Sequence, residues 1–155
     1  MNYDFKNKLL IPAIAALLGI TTLMAANAFA AEHKIEMLNN GADGSFVFSP
    51  AFLKAAKGDT VKFIAKDKGH NVGLHVAPKG VTLFKGKIDE EITLKLDTEG
   101  VYVYDCDPHM ALAMVGVIQV DKPTNLEDAK KEEASLSKKF FANKDRLIKL
   151  MAQIK

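Results

Sequence analysis

Apolar and polar residues alternate in short runs through most of the chain, and the period changes near Pro123. From His33 to Asn39, Ile35 and Met37 fall on one side with charged residues between them, and Asn39-Asn40-Gly41-Ala42-Asp43-Gly44 then supplies turn residues, so a strand and a loop are predicted. Phe46-Val47-Phe48 is a short apolar run closed by Ser49-Pro50. Phe52 to Ala56 leads into a turn at Lys57-Gly58-Asp59. Thr60 to Ala65, with Val61, Phe63 and Ala65 on one face, reads as a half-buried strand. The chain is irregular from Lys66 to Gly73, and Leu74 to Lys87, with Pro78, Gly80 and Gly86 among scattered apolar positions, is predicted to be mostly loop. Ile92, Leu94 and Leu96 alternate with polar neighbours, Asp97-Thr98-Glu99-Gly100 turns the chain, and Val101-Tyr102-Val103-Tyr104 follows, which predicts two adjacent strands. Val115 to Val120 is a last strand, ended by Asp121-Lys122-Pro123.

Short β-rich runs separated by turns about every 8–12 residues indicate a mainly β protein, an antiparallel sandwich or barrel. Beyond Pro123 the apolar spacing becomes three and four. Asn125 is placed to cap a helix from Leu126 to about Ala134, and Ser135 or Ser137 a second one reaching Ile154. In the second, Phe140, Leu147, Leu150, Met151 and Ile154 recur on one face, while Lys138, Lys144, Arg146 and Lys149 face outward. This tail has 8 basic and 5 acidic residues, against 11 and 13 in Ala31 to Lys122, and its charge reads as a solvated helix face.

The first thirty residues have their own pattern: Lys6 and Lys8 in a polar start, an apolar stretch from Leu9 to Met24, and Ala28-Phe29-Ala30 at the end. That order predicts a secretory signal peptide cleaved between Ala30 and Ala31. A membrane anchor is the poorer reading, because the apolar stretch falls short of the ~20 residues of a spanning helix and Pro12 and Gly19 interrupt it. The remaining 125 residues suit one domain, a sandwich over 31–122 with a helical extension over 123–155 packed on it. Their net charge is near +1, which gives no case for nucleic acid or for stable membrane association.

An exported chain with one cysteine cannot form an internal disulfide, so Cys106 needs another explanation. Alone it would be an ordinary small core residue. Its surroundings change that reading: Cys106, His109 and Met114 sit in one loop between two strand runs, and His70 lies in a turn after the Thr60 strand. In a Greek-key sandwich, loops remote in sequence meet at one end. Together the four residues give two imidazoles, a thiolate and a thioether, the ligand set of a blue-copper electron-transfer centre. Zinc fits less well, since structural zinc sites draw on more cysteines and rarely use a thioether. His33 and His75 read as surface histidines without a metal role, and Phe46 as either a neighbour of the His109 ring or a core aromatic.

On these motifs the chain resembles the cupredoxins, small periplasmic blue copper proteins, and within them the pseudoazurins. The resemblance runs over the whole exported part. It rests on Glu36-Met37-Leu38-Asn39, Gly58-Asp59-Thr60-Val61, Asp67-Lys68-Gly69-His70-Asn71-Val72, Gly100-Val101-Tyr102, the Cys106/His109/Met114 loop running on into Val115-Gly116-Val117, and Asn125-Leu126. Two residues between Cys106 and His109 and four between His109 and Met114 match pseudoazurins and plastocyanins, and plastocyanins lack the two-helix tail. The resemblance implies a cupredoxin Greek-key β-sandwich with two C-terminal helices, holding one type 1 copper that cycles between Cu(II) and Cu(I). His70, Cys106 and His109 would lie in the trigonal plane with Met114 axial. It further implies a monomeric periplasmic electron carrier, not an enzyme, that docks transiently with redox donors and acceptors such as a cytochrome or copper nitrite reductase. The alternative is a periplasmic copper-binding or trafficking protein. Pro108 has no N–H to offer the Cys106 sulfur, so the Asn71 N–H is the expected donor, and Pro108, Met110, Ala111 and Leu112 form an expected apolar collar around the edge of His109. Family members ring this end with lysines; here Asp105 and Asp107 flank Cys106, Asn40 replaces a lysine, and Lys68 and Lys85 remain, so a docking face of mixed charge is expected.

Overall fold

The Ile35/Met37 alternation does what its period predicts. Both side chains are fully buried on one face of β1 (Glu32–Gly41), and their polar neighbours point away. The computed structural model describes residues 30–155, so the predicted signal peptide lies outside the described residues except for Ala30. β1 pairs with β2 (Gly44–Ser49) and β4 (Thr60–Ile64), and β6 (Ile92–Lys95) completes a four-stranded sheet in the order β2-β1-β4-β6. The second sheet has the order β3-β8-β7-β5, from β3 (Phe52–Ala55), β5 (Gly73–Val76), β7 (Gly100–Asp105) and β8 (Val115–Val120).

The sandwich is mixed, not antiparallel throughout: β1–β4 and β3–β8 are parallel pairs. Alternation tells which face of a strand is apolar and nothing about the direction of its neighbour, and here the chain leaves the first sheet for β3 before returning as β4. The turn from Asp97 to Gly100 likewise crosses between sheets, so β6 and β7 are consecutive without being paired, which corrects the expected adjacent pair. Tyr102 donates its hydroxyl to Thr98 O at 2.8 Å and fastens that corner. β5 lies inside the region predicted as loop. It is four residues long, and a register shift between Leu74 and Val76 breaks the period that would have revealed it.

Between the sheets, Phe48, Phe63 and Tyr104 pack edge to face, with the Tyr104 ring centroid 4.8 Å from Phe48 and 5.0 Å from Phe63. Gly116 makes room for them: a Cβ there would stand 2.3 Å from the Tyr104 ring. β7 and β8 are buried along their whole length because their other face is covered as well. There Val101, Val103, Val115 and Val117 pack with Ala129, Leu136, Phe140, Leu147 and Leu150 of the tail. Truncating a fully buried leucine such as Leu147 to alanine costs about 2–5 kcal/mol.

The tail differs from its pattern in three ways. Asn125 does not cap α1 (Leu126–Leu136) with its side chain; it bonds the strand beneath, accepting from Val101 N at 2.7 Å and donating to Val101 O at 2.8 Å. The second helix, α2, is only Arg146–Met151. Phe140 to Asp145 stays non-helical because its backbone turns outward to bond another loop: Phe141 N and Ala142 N both donate to Ala111 O, and Asn143 has φ 50°. The third difference concerns Arg146, which is half-buried and turned toward backbone carbonyls.

Candidate metal centre

β7 and β8 stay in register to Asp105–Val115, and Cys106 N donates to Met114 O at 3.0 Å, so the strands close a short loop from Cys106 to Met114. Pro108, with no N–H to lose, starts a 3-10 turn over Asp107–Leu112. His109 N donates to Cys106 O at 3.0 Å and Met114 N to His109 O at 3.2 Å; Ala113, at φ 57°, reverses the chain between them. These bonds draw Cys106, His109 and Met114 together at one end of the sandwich. Cys106 and Met114 are fully buried in the core between the sheets.

His70 comes from the loop after β4 and is also fully buried. Its Nδ1 lies 3.7 Å from Cys106 Sγ, and His109 Nδ1 lies 3.4 Å from the same sulfur. One ligand atom from each of the three residues falls within 4.8 Å of the others. With Nδ1 of His70 facing the sulfur, Nε2 carries the proton and donates to Asn39 Oδ1 at 3.1 Å, which sets the tautomer.

Burial holds the pKa of both imidazoles below the usual histidine value, with His109 adding to the effect at His70, so both rings are neutral and present lone pairs at pH 7. The Cys106 thiol is pushed up to about 11 by burial, with Asp105 and Asp107 adding to the rise, while the backbone N–H groups of Asn71 and His109 oppose it. A metal ion taken up here must displace that proton and keep the thiolate. Two neutral nitrogens and one thiolate, with no carboxylate among them, suit copper.

The Asn71 N–H acts on the sulfur as expected, but the Asn71 side chain is a part that sequence reasoning missed. Nδ2 donates to Gly86 O at 3.0 Å and to Asp107 Oδ2 at 2.6 Å, and Oδ1 accepts from Asp107 N at 2.9 Å, lacing the His70 loop to the Cys106 loop. Asn39 was missed in the same way; both residues belong to the motifs that carry the resemblance, which is the signal that could have found them. Pro108 and Ala111 are exposed and Met110 and Leu112 half-exposed, forming the expected collar. Phe46 lies at the site: its ring stacks on His109 with centroids 4.3 Å apart and planes at 22°.

Two expectations about charge are corrected. Asp105 is not on the docking face, because alternation along β7 turns its side chain inward, fully buried, with His75 Nε2 2.8 Å from Oδ1. His75 is therefore no free surface histidine. Asp105 raises the His75 pKa against the opposing effect of burial, and Glu132 lies 3.8 Å from the other ring nitrogen. Asp107 is paired with Lys85 at 2.9 Å, and burial is outweighed by Asn71 and Lys85, which keep its pKa below the ordinary carboxylate value. His33 binds Asp59 at 2.8 Å, and with the Ala31 and Ala56 N–H groups lowers that carboxyl to about 2.

Comparison with known proteins agrees with this architecture. Residues 35–121 match the model for copper binding proteins of the plastocyanin/azurin family. A pseudoazurin of Paracoccus pantotrophus is 46% identical over 124 residues, covering 78% of this chain and 83% of that protein. The crystal structure of native pseudoazurin from Hyphomicrobium denitrificans superposes with a TM-score of 0.71 at 38% identity over 80% of this chain and 98% of that one. The pseudoazurin structure from Methylobacterium extorquens AM1 gives 0.69 at 39% over 80% and 99%. On these matches the chain belongs to the pseudoazurin branch of the copper-binding plastocyanin/azurin family, cupredoxin-fold electron carriers and not enzymes.

Proposed function

We propose that the protein is a periplasmic carrier of single electrons, exported by residues 1–30 and folded as one domain in which 123–155 pack on the 31–122 sandwich. His70, Cys106, His109 and Met114 would hold the copper ion. The observation that carries this reading is the convergence of three donor atoms within 4.8 Å, two of them on the buried His70 and Cys106 and the third on His109, half-exposed in an apolar collar. Copper bound there would supply a one-electron couple.

The chain's own part is to hold that couple still and expose one edge of it. Loops braced by Asn71 and Asn39 limit how far the ligands move between oxidation states, and the apolar collar excludes water where a partner lands. With Asp105 turned inward and Asp107 neutralised by Lys85, the face is less acidic than its sequence suggests, and Lys68 is exposed on it. Such a face favours an acidic partner, and by resemblance the acceptor is a denitrification enzyme such as copper nitrite reductase, with a cytochrome among the donors.

The Cu(II)-loaded protein should show an intense thiolate-to-copper band in the visible region; a colourless Cu(II) complex ends this reading. Chelator competition separates the shuttle from a trafficking protein, since a shuttle keeps its copper in both oxidation states and a trafficking protein loses it quickly on reduction.

A further inference from the structure

The loop between His109 and Met114 hangs its carbonyls on the C-terminal tail. Ala111 O accepts from Phe141 N at 2.7 Å and from Ala142 N at 3.1 Å. Leu112 O accepts from Asn143 Nδ2 at 3.1 Å and lies 3.5 Å from Arg146 Nη1, and Ala113 O accepts from the same Nη1 at 2.9 Å. Three successive carbonyls of the ligand loop are thus satisfied by a segment of remote sequence.

Arg146 also reaches the opposite side of the site. Nη1 donates to Phe46 O at 3.0 Å, and Nη2 lies 3.4 Å from both Asp43 O, in the β1–β2 turn, and Ser45 O, at the start of β2. Phe46 and Ala113 share an uncommon conformation, left-handed backbone at φ 51° and 57° in residues other than glycine, and the guanidinium bonds the carbonyl of each. Among the described residues it makes no salt bridge; its donors go to carbonyls. Only an arginine has enough rigidly spread N–H groups for this set.

We propose that Arg146 is a positioning residue of the metal centre. It pins the left-handed turn that precedes Met114 and seats the Phe46 ring on His109, so the tail controls the relative placement of the two ligands that follow Cys106. The proposal rests on the ligand assignment above. Without the clamp, Phe46 and Ala113 relax toward ordinary backbone conformations, and His109 and Met114 shift relative to the sulfur. A changed axial interaction alters both the spectrum and the potential of such a centre.

The test compares Arg146→Ala, Arg146→Lys and Asn143→Ala with Leu136→Ala, a control that removes a buried side chain at the end of α1 and none of these bonds. In the copper-loaded proteins the readouts are the ratio of the thiolate-to-copper bands, the anisotropy of the Cu(II) EPR signal and the reduction potential. In the metal-free proteins they are the His109 ring-proton shifts, which sense the Phe46 ring current, and amide exchange at Ala113 and Met114. Arg146→Ala should change all of these, with exchange roughly tenfold faster, the size expected for local loss of one or two hydrogen bonds. Asn143→Ala should move them the same way by less, Arg146→Lys should recover part of the change, and Leu136→Ala should lower Tm with the spectra unmoved. A copper-loaded Arg146→Ala protein with a lowered Tm but the parent spectrum, potential and His109 shifts overturns the proposal. If Arg146→Ala does not fold, Arg146→Lys and Asn143→Ala decide it, and parent spectra in both overturn it. The copper reading fails separately, through the unaltered protein's lack of a visible band, and the metal-free measurements still test the clamp in that case.

Discussion

The two histidines of the site share a ring type and a depressed pKa but little else. His70 is sealed in the core, its far nitrogen bound to Asn39 and its loop laced to the Cys106 loop by Asn71. His109 is half-exposed, stacked on Phe46, and sits in a loop whose later carbonyls are held by the tail. One imidazole is anchored by polar bonds in a dry interior, and the other is fixed from outside and keeps an edge free. A carrier needs both: buried anchors keep the ligand geometry unchanged when the charge changes, and the exposed edge shortens the path to a partner.

The largest effect is expected at the sulfur, which both rings share. Cys106→Ser should abolish the intense visible band of the Cu(II) protein, and a serine variant that keeps it would show that the band does not arise from this thiolate. The next experiment separates the two rings. His109→Gly should regain an intense band when free imidazole is added, because its place opens to solvent, whereas His70→Gly should not, because imidazole cannot reach a fully buried position. Equal recovery in both variants would erase the contrast between anchor and edge.

Asn71→Ala tests the bracing of the buried side. It strips the Asp107 N–H and carboxylate and Gly86 O of a partner and should destabilise the protein by about 1–3 kcal/mol in urea unfolding. A cost within error of zero would mean that water replaces these bonds freely. The smallest effect concerns pH. Asp105, the main influence, raises the His75 pKa against the opposing effect of burial. A raised folded-state pKa means that the pair's stabilisation is complete below the unfolded value of about 6.5 and fades as pH rises through the folded value. Tm measured across that window should fall with pH more steeply for the parent than for His75→Gln; parallel curves would remove the pair from the account.

How far the chain could be read depended on whether a residue's partner was local. Ile35, Met37, Val61 and Phe63 went to the core as their alternation predicts, because a period of two fixes a face without regard to what covers it. The Cys106–His109–Met114 spacing was legible for a related reason: one tight turn sets where those side chains can go. β5 was hidden by a register shift, and the parallel pairing of β1 with β4 leaves no trace in composition. In the tail, the helical spacing of Phe140 and Leu147 was real in its burial and wrong in its continuity, since the intervening backbone bonds Ala111 in place of its own next turn.

Residue identity and spacing alone determined the donor set, the alternating strands, the sandwich they build and the family to which the chain belongs. The tertiary structure decided which charges count and what holds the ligands. It turned Asp105 into the interior, tied Asp107 to Lys85, and brought Arg146, read from its helical position as an outward-facing cation, onto the carbonyls of Phe46 and Ala113. The physical reason is that a side chain's chemistry belongs to the residue, whereas burial, charge pairing and the choice of hydrogen-bond partner belong to the surroundings that the rest of the fold supplies.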